Sequence, residues 1–147
     1  MPVFEIPFEL VCLEDDFNFM PLVHVLIGAN EVGLVIDTGA SHTCLDKELV
    51  KKFRPLEQPK SDNTVMGIGG RRLSHSMCEL PDFQIGGLHL ECYKVVAIRM
   101  KNVNKMLKWL GRKPIGGLLG CDFLECYHAV LDFNNRILRL EQPENES

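Results

Sequence analysis

Two short apolar runs stand out early in the chain, Leu22-Val23-His24-Val25-Leu26-Ile27 and Val32-Gly33-Leu34-Val35-Ile36, separated by Gly28-Ala29-Asn30-Glu31. Their lengths and the turn residues between them predict a β-hairpin. The second run ends in Asp37-Thr38-Gly39-Ala40-Ser41, small and polar residues suited to a tight turn directly after a buried strand. Asp46 is placed to cap a short helix, with Glu48 in its first turn and Lys51 and Lys52 near its end, before Phe53-Arg54-Pro55 closes it. Residues 61–80 read as a second hairpin. Its tip is Gly67-Ile68-Gly69-Gly70, flanked by Thr64-Val65-Met66 and Arg71-Arg72-Leu73. A third turn falls at Gly86-Gly87, between Phe83-Gln84-Ile85 and Leu88-His89-Leu90, and strand pattern resumes over 93–98.

The period then changes. Met100, Val103, Leu107 and Leu110 are spaced as one face of a helix near 100–110. After Pro114 comes Ile115-Gly116-Gly117-Leu118-Leu119-Gly120, followed by a helix over 121–127 for which Asp122 is the candidate cap. Two last strands, over 129–133 and 137–140, flank Asn134-Asn135-Arg136, whose Asn pair tolerates the positive φ of a tight hairpin. Another strand is expected over 3–10, and residues 141–147 read as a disordered tail. No repeat or low-complexity segment interrupts this order.

A chain of 147 residues with 46% hydrophobic content suits one compact domain, 1–147, with its core over about 21–140. The 12 Gly and 8 Pro, spread along the chain, favour many short strands and so an all-β fold. Net charge is −4, without the basic excess of nucleic-acid or membrane-surface binders. Neither a signal peptide nor an apolar run of roughly 18–20 residues is present, so a soluble, cytoplasmic location is expected. The charge is uneven, since residues 1–46 hold eight acids and no Lys or Arg. A solvated surface explains that, as does steering of a partner subunit or substrate. Residues 99–113 carry six bases, Arg99, Lys101, Lys105, Lys108, Arg112 and Lys113, and no acid.

Six cysteines lie mostly in apolar runs such as Val11-Cys12-Leu13 and Leu90-Glu91-Cys92-Tyr93, where reduced Cys acts as a small buried hydrophobe. His75-x-x-Cys78 and Cys121-x4-Cys126-x-His128 bring zinc-ligand types together, but these spacings match no finger or ribbon. The Gly-rich tip at 67–70 lacks the Lys-Ser or Lys-Thr of a phosphate loop.

The chemistry concentrates at Asp37. A carboxylate at the end of a buried strand is held in place, and the Gly that follows lets the backbone turn so that the acid faces open space. Asp37-Thr38-Gly39-Ala40 after paired apolar strands resembles the active-site signature of the retroviral-type aspartic peptidases. Gly67-Ile68-Gly69-Gly70 stands where that family has its flap. Gly117-Leu118-Leu119-Gly120-Cys121-Asp122-Phe123-Leu124, followed by Ala129-Val130-Leu131-Asp132-Phe133, resembles its closing segment. The resemblance implies a retropepsin-like acid-protease β-barrel with one or two short helices and an inserted helix near 100–110.

It further implies that Asp37 shares a water and a proton with its mate and that Thr38, Gly39 and Ala40 form the active-site loop. Gly67, Ile68, Gly69 and Gly70 would then cover a peptide or protein substrate, and Leu118, Leu119 and Gly120 would wall the catalytic loop. No metal or other cofactor is implied. No second Asp-Thr-Gly or Asp-Ser-Gly occurs in the chain, so a homodimer would have to supply the second acid. The sequence departs from the viral pattern at Ser41-His42, where viral members commonly carry acids. A dimeric peptide-binding module of the same fold, with little or no turnover, is the alternative reading.

Overall fold

The computed structural model describes residues 1–14, 18–53, 65–66, 72–73 and 76–143. Among these residues twelve strands and three helices are formed in the order β1 (Val3–Pro7), β2 (Glu9–Glu14), β3 (Asn18–Ile27), β4 (Asn30–Ile36), β5 (Cys44–Asp46), α1 (Lys47–Lys52), β6 (Val65–Met66), β7 (Arg72–Leu73), β8 (Ser76–Ile85), β9 (Leu88–Ile98), α2 (Lys101–Trp109), β10 (Gly117–Leu119), α3 (Cys121–Cys126), β11 (Val130–Asp132) and β12 (Ile137–Glu141). The main sheet runs β2-β3-β4-β10-β5-β9-β8, and β8 pairs back onto β3 through Leu26↔Gln84 and Ile27↔Phe83. That last pairing closes six strands into a barrel and leaves them without a free edge.

Strand alternation fills the barrel. Val23, Val25 and Ile27 of β3 face the same core as Leu34 and Ile36 of β4, together with Leu45, Leu80, Phe83, Ile85, Val95, Ala97, Leu119 and Phe123. Val35 points the other way and is also buried, in a second apolar cluster with Met100, Leu107 and Ile115. The unbroken run Val32-Gly33-Leu34-Val35-Ile36 therefore reflects a strand covered on both faces, its outer cover being the helix inserted between β9 and β10. Burying Leu107 contributes on the order of 2 kcal/mol to that attachment.

The inserted helix differs from the expected one in which residues it buries. Met100 and Leu107 are buried, but Val103 is exposed and continues with Met106 and Trp109 as an outward stripe, Trp109 being 85% exposed. The packed face is completed by Asn104. Its amide donates to the Ile115 carbonyl at 3.0 Å, and its side-chain oxygen accepts from the Ile115 N–H at 2.8 Å. A polar residue pairs with the backbone of the next segment here, a partner that helical spacing cannot reveal.

Asp46 caps α1 as expected, accepting from Glu48 N–H, and also accepts from Met100 N–H at 3.3 Å, which ties the starts of α1 and α2 together. Asp122, by contrast, does not cap α3. The N-cap is Gly120, and the Asp122 carboxylate is engaged elsewhere. In the last hairpin the positive φ falls on Arg136, at 56°, and not on the Asn pair, because Asp132 accepts from the backbone and side chain of Asn135 and shapes the turn. The N-terminal strand is split into β1 and β2, with Phe8 N–H donating to Arg136 between them. β1 pairs with β12 in a small sheet ordered β1-β12-β11, and Glu141, expected in the tail, ends β12 opposite Val3. The cysteines are less buried than their apolar neighbours imply. None of the six is in a disulfide, and while Cys44 is buried, Cys92 and Cys126 are exposed.

Replacing Asn104 with Ala leaves the buried Ile115 N–H and carbonyl without their partner. Urea unfolding should show a loss of about 2 kcal/mol, and an unchanged midpoint would deny the clamp any structural weight.

Candidate active site

Of the residues picked out by sequence, the Asp37 loop and the Leu118-Leu119-Gly120 segment meet at one end of the barrel because of strand order. β4 and β5 are consecutive in sequence but not adjacent in the sheet. β10 lies between them, parallel to β4 through Leu119↔Ile36 and antiparallel to β5 through Leu118↔Cys44. The loop from Asp37 to Thr43 must therefore cross the end of β10, spanning two strand spacings, about 10 Å. It is held there by backbone bonds. Asp37 N–H donates to Leu119 at 3.0 Å, Cys121 N–H to Ala40 at 2.8 Å and Asp122 N–H to Ser41 at 3.2 Å.

Within the loop, Gly39 N–H donates to the Asp37 carboxylate at 2.9 Å, and Ala40 N–H donates to the Asp37 carbonyl at 3.1 Å. These bonds fix the acid at the strand end. Asp37 and Ala40 are half-buried, while Thr38 and Gly39 are exposed. The Cys121 thiol lies 3.0 Å from the Thr38 carbonyl, and the Thr38 hydroxyl has no hydrogen-bond partner among the described residues. Ser41 and His42 are exposed and bonded to each other at 2.9 Å.

Leu118, Leu119 and Gly120 are brought beside this loop but differ in role. Leu119 is buried in the main core, and Leu118 packs against the outer cluster under α2. Gly120 is where two backbones touch. A Cβ at this residue would sit 2.5 Å from the carbonyl of His42, and one at Gly117 would sit 1.9 Å from that of Cys44, so neither position has room for a side chain. Gly67, Ile68, Gly69 and Gly70 lie outside the described residues. The segments on either side of them pair antiparallel as β6 and β7, Val65↔Leu73 and Met66↔Arg72.

One part of the site escaped the sequence reading. Thr43, fully buried, donates its hydroxyl to the Asp122 carboxylate at 2.8 Å and accepts from Gly120 N–H at 3.0 Å. The same carboxylate oxygen receives Thr43 N–H at 2.9 Å and Phe123 N–H at 2.7 Å. This clamp joins the loop after Asp37 to the start of α3. Two groups beside it are pushed towards their neutral forms. Burial, then the charges of Asp122 and Asp37, push the Cys44 thiol up to about 11. Burial, then the Asp122 charge, likewise raise Tyr93. The Tyr93 ring packs tilted against Phe83 and edge-on against Phe123, at centroid distances of 5.1 and 5.7 Å, and anchors α3 to the barrel.

Among the described residues no group of three or more His, Cys, Asp or Glu side chains is arranged to hold a metal ion, and His75 lies outside them. No helix among them is long and apolar enough to cross a membrane.

The chain belongs to the aspartyl protease family. The family model matches residues 23–123, which is 101 of the 147 residues and includes both the Asp37 loop and the Gly117-Leu118-Leu119-Gly120 segment. The sequence is similar to the UBA domain-containing protein Mud1 of Schizosaccharomyces pombe, at 27% identity over 128 residues. That match takes in 86% of this chain, which spans only 34% of the length of Mud1. In three dimensions the chain is similar to a retropepsin-like aspartic protease from Rickettsia conorii, with a TM-score of 0.59, 17% identity, and coverage of 96% of this chain and 91% of that one. It is also similar to the retroviral protease-like domain of Ddi1 from Leishmania major, with a TM-score of 0.53, 15% identity, and coverage of 87% and 98%. The EIAV protease in complex with an inhibitor matches with a TM-score of 0.52 at 17% identity, covering 76% of this chain and 91% of that one. The fold is the retropepsin-like β-barrel.

Two outcomes test this picture. Thr43→Val removes a donor from Asp122 and an acceptor from Gly120 N–H and should lower stability to urea by about 2–3 kcal/mol. The Cys44 thiol binds its proton more tightly in the folded chain than its ordinary value of 9.0 allows, so its contribution is complete below that pH and is lost as pH rises towards about 11. Stability measured across this window should therefore fall less steeply in Cys44→Ala than in the parent. Equal slopes would show that the thiol is not linked to folding.

Proposed function

We propose that the protein is an aspartic endopeptidase that acts as a homodimer, with Asp37 of each subunit contributing one carboxylate to a shared dyad. The observation that carries this reading is the placement of Asp37. It sits at the tip of a doubly covered strand, fixed by Leu119 and Gly39, in a chain with one Asp-Thr-Gly. Two carboxylates about 3 Å apart do not both ionise readily, so one acts as base towards a water while the other protonates the substrate carbonyl. The pair titrates as a unit. Both proton-transfer roles come from side chains of the protein, and no cofactor enters the cycle.

Thr38 supports the dimer, since its exposed hydroxyl is free to bond across to the matching loop of a second subunit. The paired limbs β6 and β7 support a flap at Gly67, Ile68, Gly69 and Gly70, which would fold over a bound peptide and exclude water. Leu118, Leu119 and Gly120 back the loop from behind. The same dimer without turnover would be a peptide-binding module, and one substitution separates the two.

Asp37→Asn keeps the size of the side chain and removes its acid chemistry. With fluorogenic casein as substrate it should lose at least about a hundredfold in rate while keeping its dimer and melting temperature. A hydroxyl-bearing, pepstatin-like peptide should raise the melting temperature of the parent and not of the variant. Activity should fall faster than linearly on dilution. Comparable cleavage by Asp37→Asn would rule out the dyad, and a parent that binds the peptide but never cleaves casein would be the scaffold.

A further inference from the structure

A cleft of about 1000 Å³ opens between α1 and α2, away from Asp37. Lys47 and Lys51 line it from α1, and Lys101, Lys105 and Lys108 from α2. Arg99, Arg112 and Lys113 complete its rim. Against these eight bases stand two acids, and both are already engaged. Asp46 is bonded to the backbone of Glu48 and Met100, and Glu48 pairs with Lys51 at 3.5 Å. Among the described residues no other base of the cleft is ion-paired.

Lys101, Lys105 and Lys108 recur at the three- and four-residue spacings that place like charges side by side on a helix, an arrangement that costs each pair about 0.2–0.5 kcal/mol. An anionic occupant would relieve that repulsion. Lysine stems and Pro114 give the cleft aliphatic walls, and among the described residues no aromatic ring lines it to offer the stacking platform that single-stranded nucleic acid uses. Six of its eight bases are Lys, compact charges on flexible stems that can meet the carboxylates of a peptide in varied geometries.

The position of the cleft sets its relation to the proposed chemistry. Asp46 N–H donates to Gly116 and Gly116 N–H to Gly33, so the cleft is level with the start of the β4–β10 pair. Asp37 is level with Leu119, four residues further along, about 13 Å away. We propose that the α1–α2 cleft is a docking site for an acidic segment of the protein substrate, separated from the scissile bond by at least about four extended residues. This rests on the peptidase reading for the word substrate, but not for the binding itself. Docking at such a distance is the same in the ground and transition states, so it lowers KM and leaves kcat unchanged.

The test uses the Asp37→Asn protein, so that binding is read without cleavage, and a fluorescent peptide of about ten residues alternating Glu and Ser, long enough to cross the cleft. Anisotropy should show binding that weakens as salt rises. Reversing Lys101, Lys105 and Lys108 to Glu should weaken it about tenfold or more, neutralising them to Gln should weaken it less, and Lys94→Glu, outside the cleft, should leave it unchanged. Melting curves confirm that each variant is folded. In the otherwise unaltered protein, a casein-derived substrate extended by the same acidic peptide should show a lower KM that the triple reversal abolishes, at constant kcat. Peptide binding untouched by both triple variants would overturn the proposal. So would tighter binding of a single-stranded oligonucleotide at the same residues, or a triple reversal that changes only the monomer–dimer equilibrium, which would assign the cleft to a second copy. Absence of any casein cleavage with peptide binding intact would count against the peptidase reading alone.

Discussion

Thr43 and Asp122 are 79 residues apart in sequence, yet their contact is what allows the loop carrying Asp37 to exist in its observed form. Because β10 separates β4 from β5, the loop must leave one strand, pass over the end of another and re-enter the sheet, and its backbone groups lose their regular partners on the way. The Asp122 carboxylate replaces one of them by accepting Thr43 N–H, and the same oxygen also receives the Thr43 hydroxyl and Phe123 N–H. Hydrogen bonds to an ionised acceptor are about twice as strong as neutral ones, and the partner hydroxyl is wholly buried, where an unmade bond is most costly. The close approach of Gly120 to His42 follows, since the clamp draws the two backbones together until only hydrogen fits.

The clamp also sorts charge around the site. Asp122 is the carboxylate nearest the buried side of the loop, and its field opposes ionisation of Cys44 and Tyr93, which burial already disfavours. The region behind the loop therefore contains neutral sulfur, phenol and hydrocarbon, with the Phe83, Tyr93, Phe123 and Tyr127 rings packed in sequence. On the open side stands Asp37, half-buried and bonded to one backbone N–H. An acid backed by this packed wall is preorganised for chemistry at its exposed edge and has little freedom to turn inward.

Local chemistry made much of this legible in the sequence. The paired runs around Gly28, the Asp46 cap and the Gly86-Gly87 turn all depend on neighbours a few residues away, and each forms where the pattern places it. The misplaced features depend on distant partners. Asn104 takes the packed position expected of Val103 because Ile115 offers it a donor and an acceptor. Asp122, a plausible cap by position, is drawn to Thr43 instead. Cys92 lies in an apolar run but on the exposed side of β9. At the candidate site, Asp37 and its loop were readable because a carboxylate, a turn and a buried strand are adjacent in sequence. The Thr43–Asp122 clamp joins two unremarkable residues, and the one available hint was Asp122 at the head of the closing segment.

The inserted helix connects these levels. It shields the outer face of β4 through Val35 and grips Ile115 just before β10, so both strands that meet the Asp37 loop are braced from the same side. Its basic face opens on the cleft with α1, which is itself tied to α2 through Asp46. Cleft and candidate site thus occupy opposite ends of one stiff pair of parallel strands. A rigid link of this kind is poorly suited to carrying a conformational signal, because packed strands have no second arrangement to switch into. It is well suited to measuring distance. An anionic segment held at one end raises the effective concentration of the chain that follows it at the other, and the gain depends on whether the spacer matches the span. Selectivity would then come from the length between the acidic segment and the cleaved bond as much as from the residues around that bond.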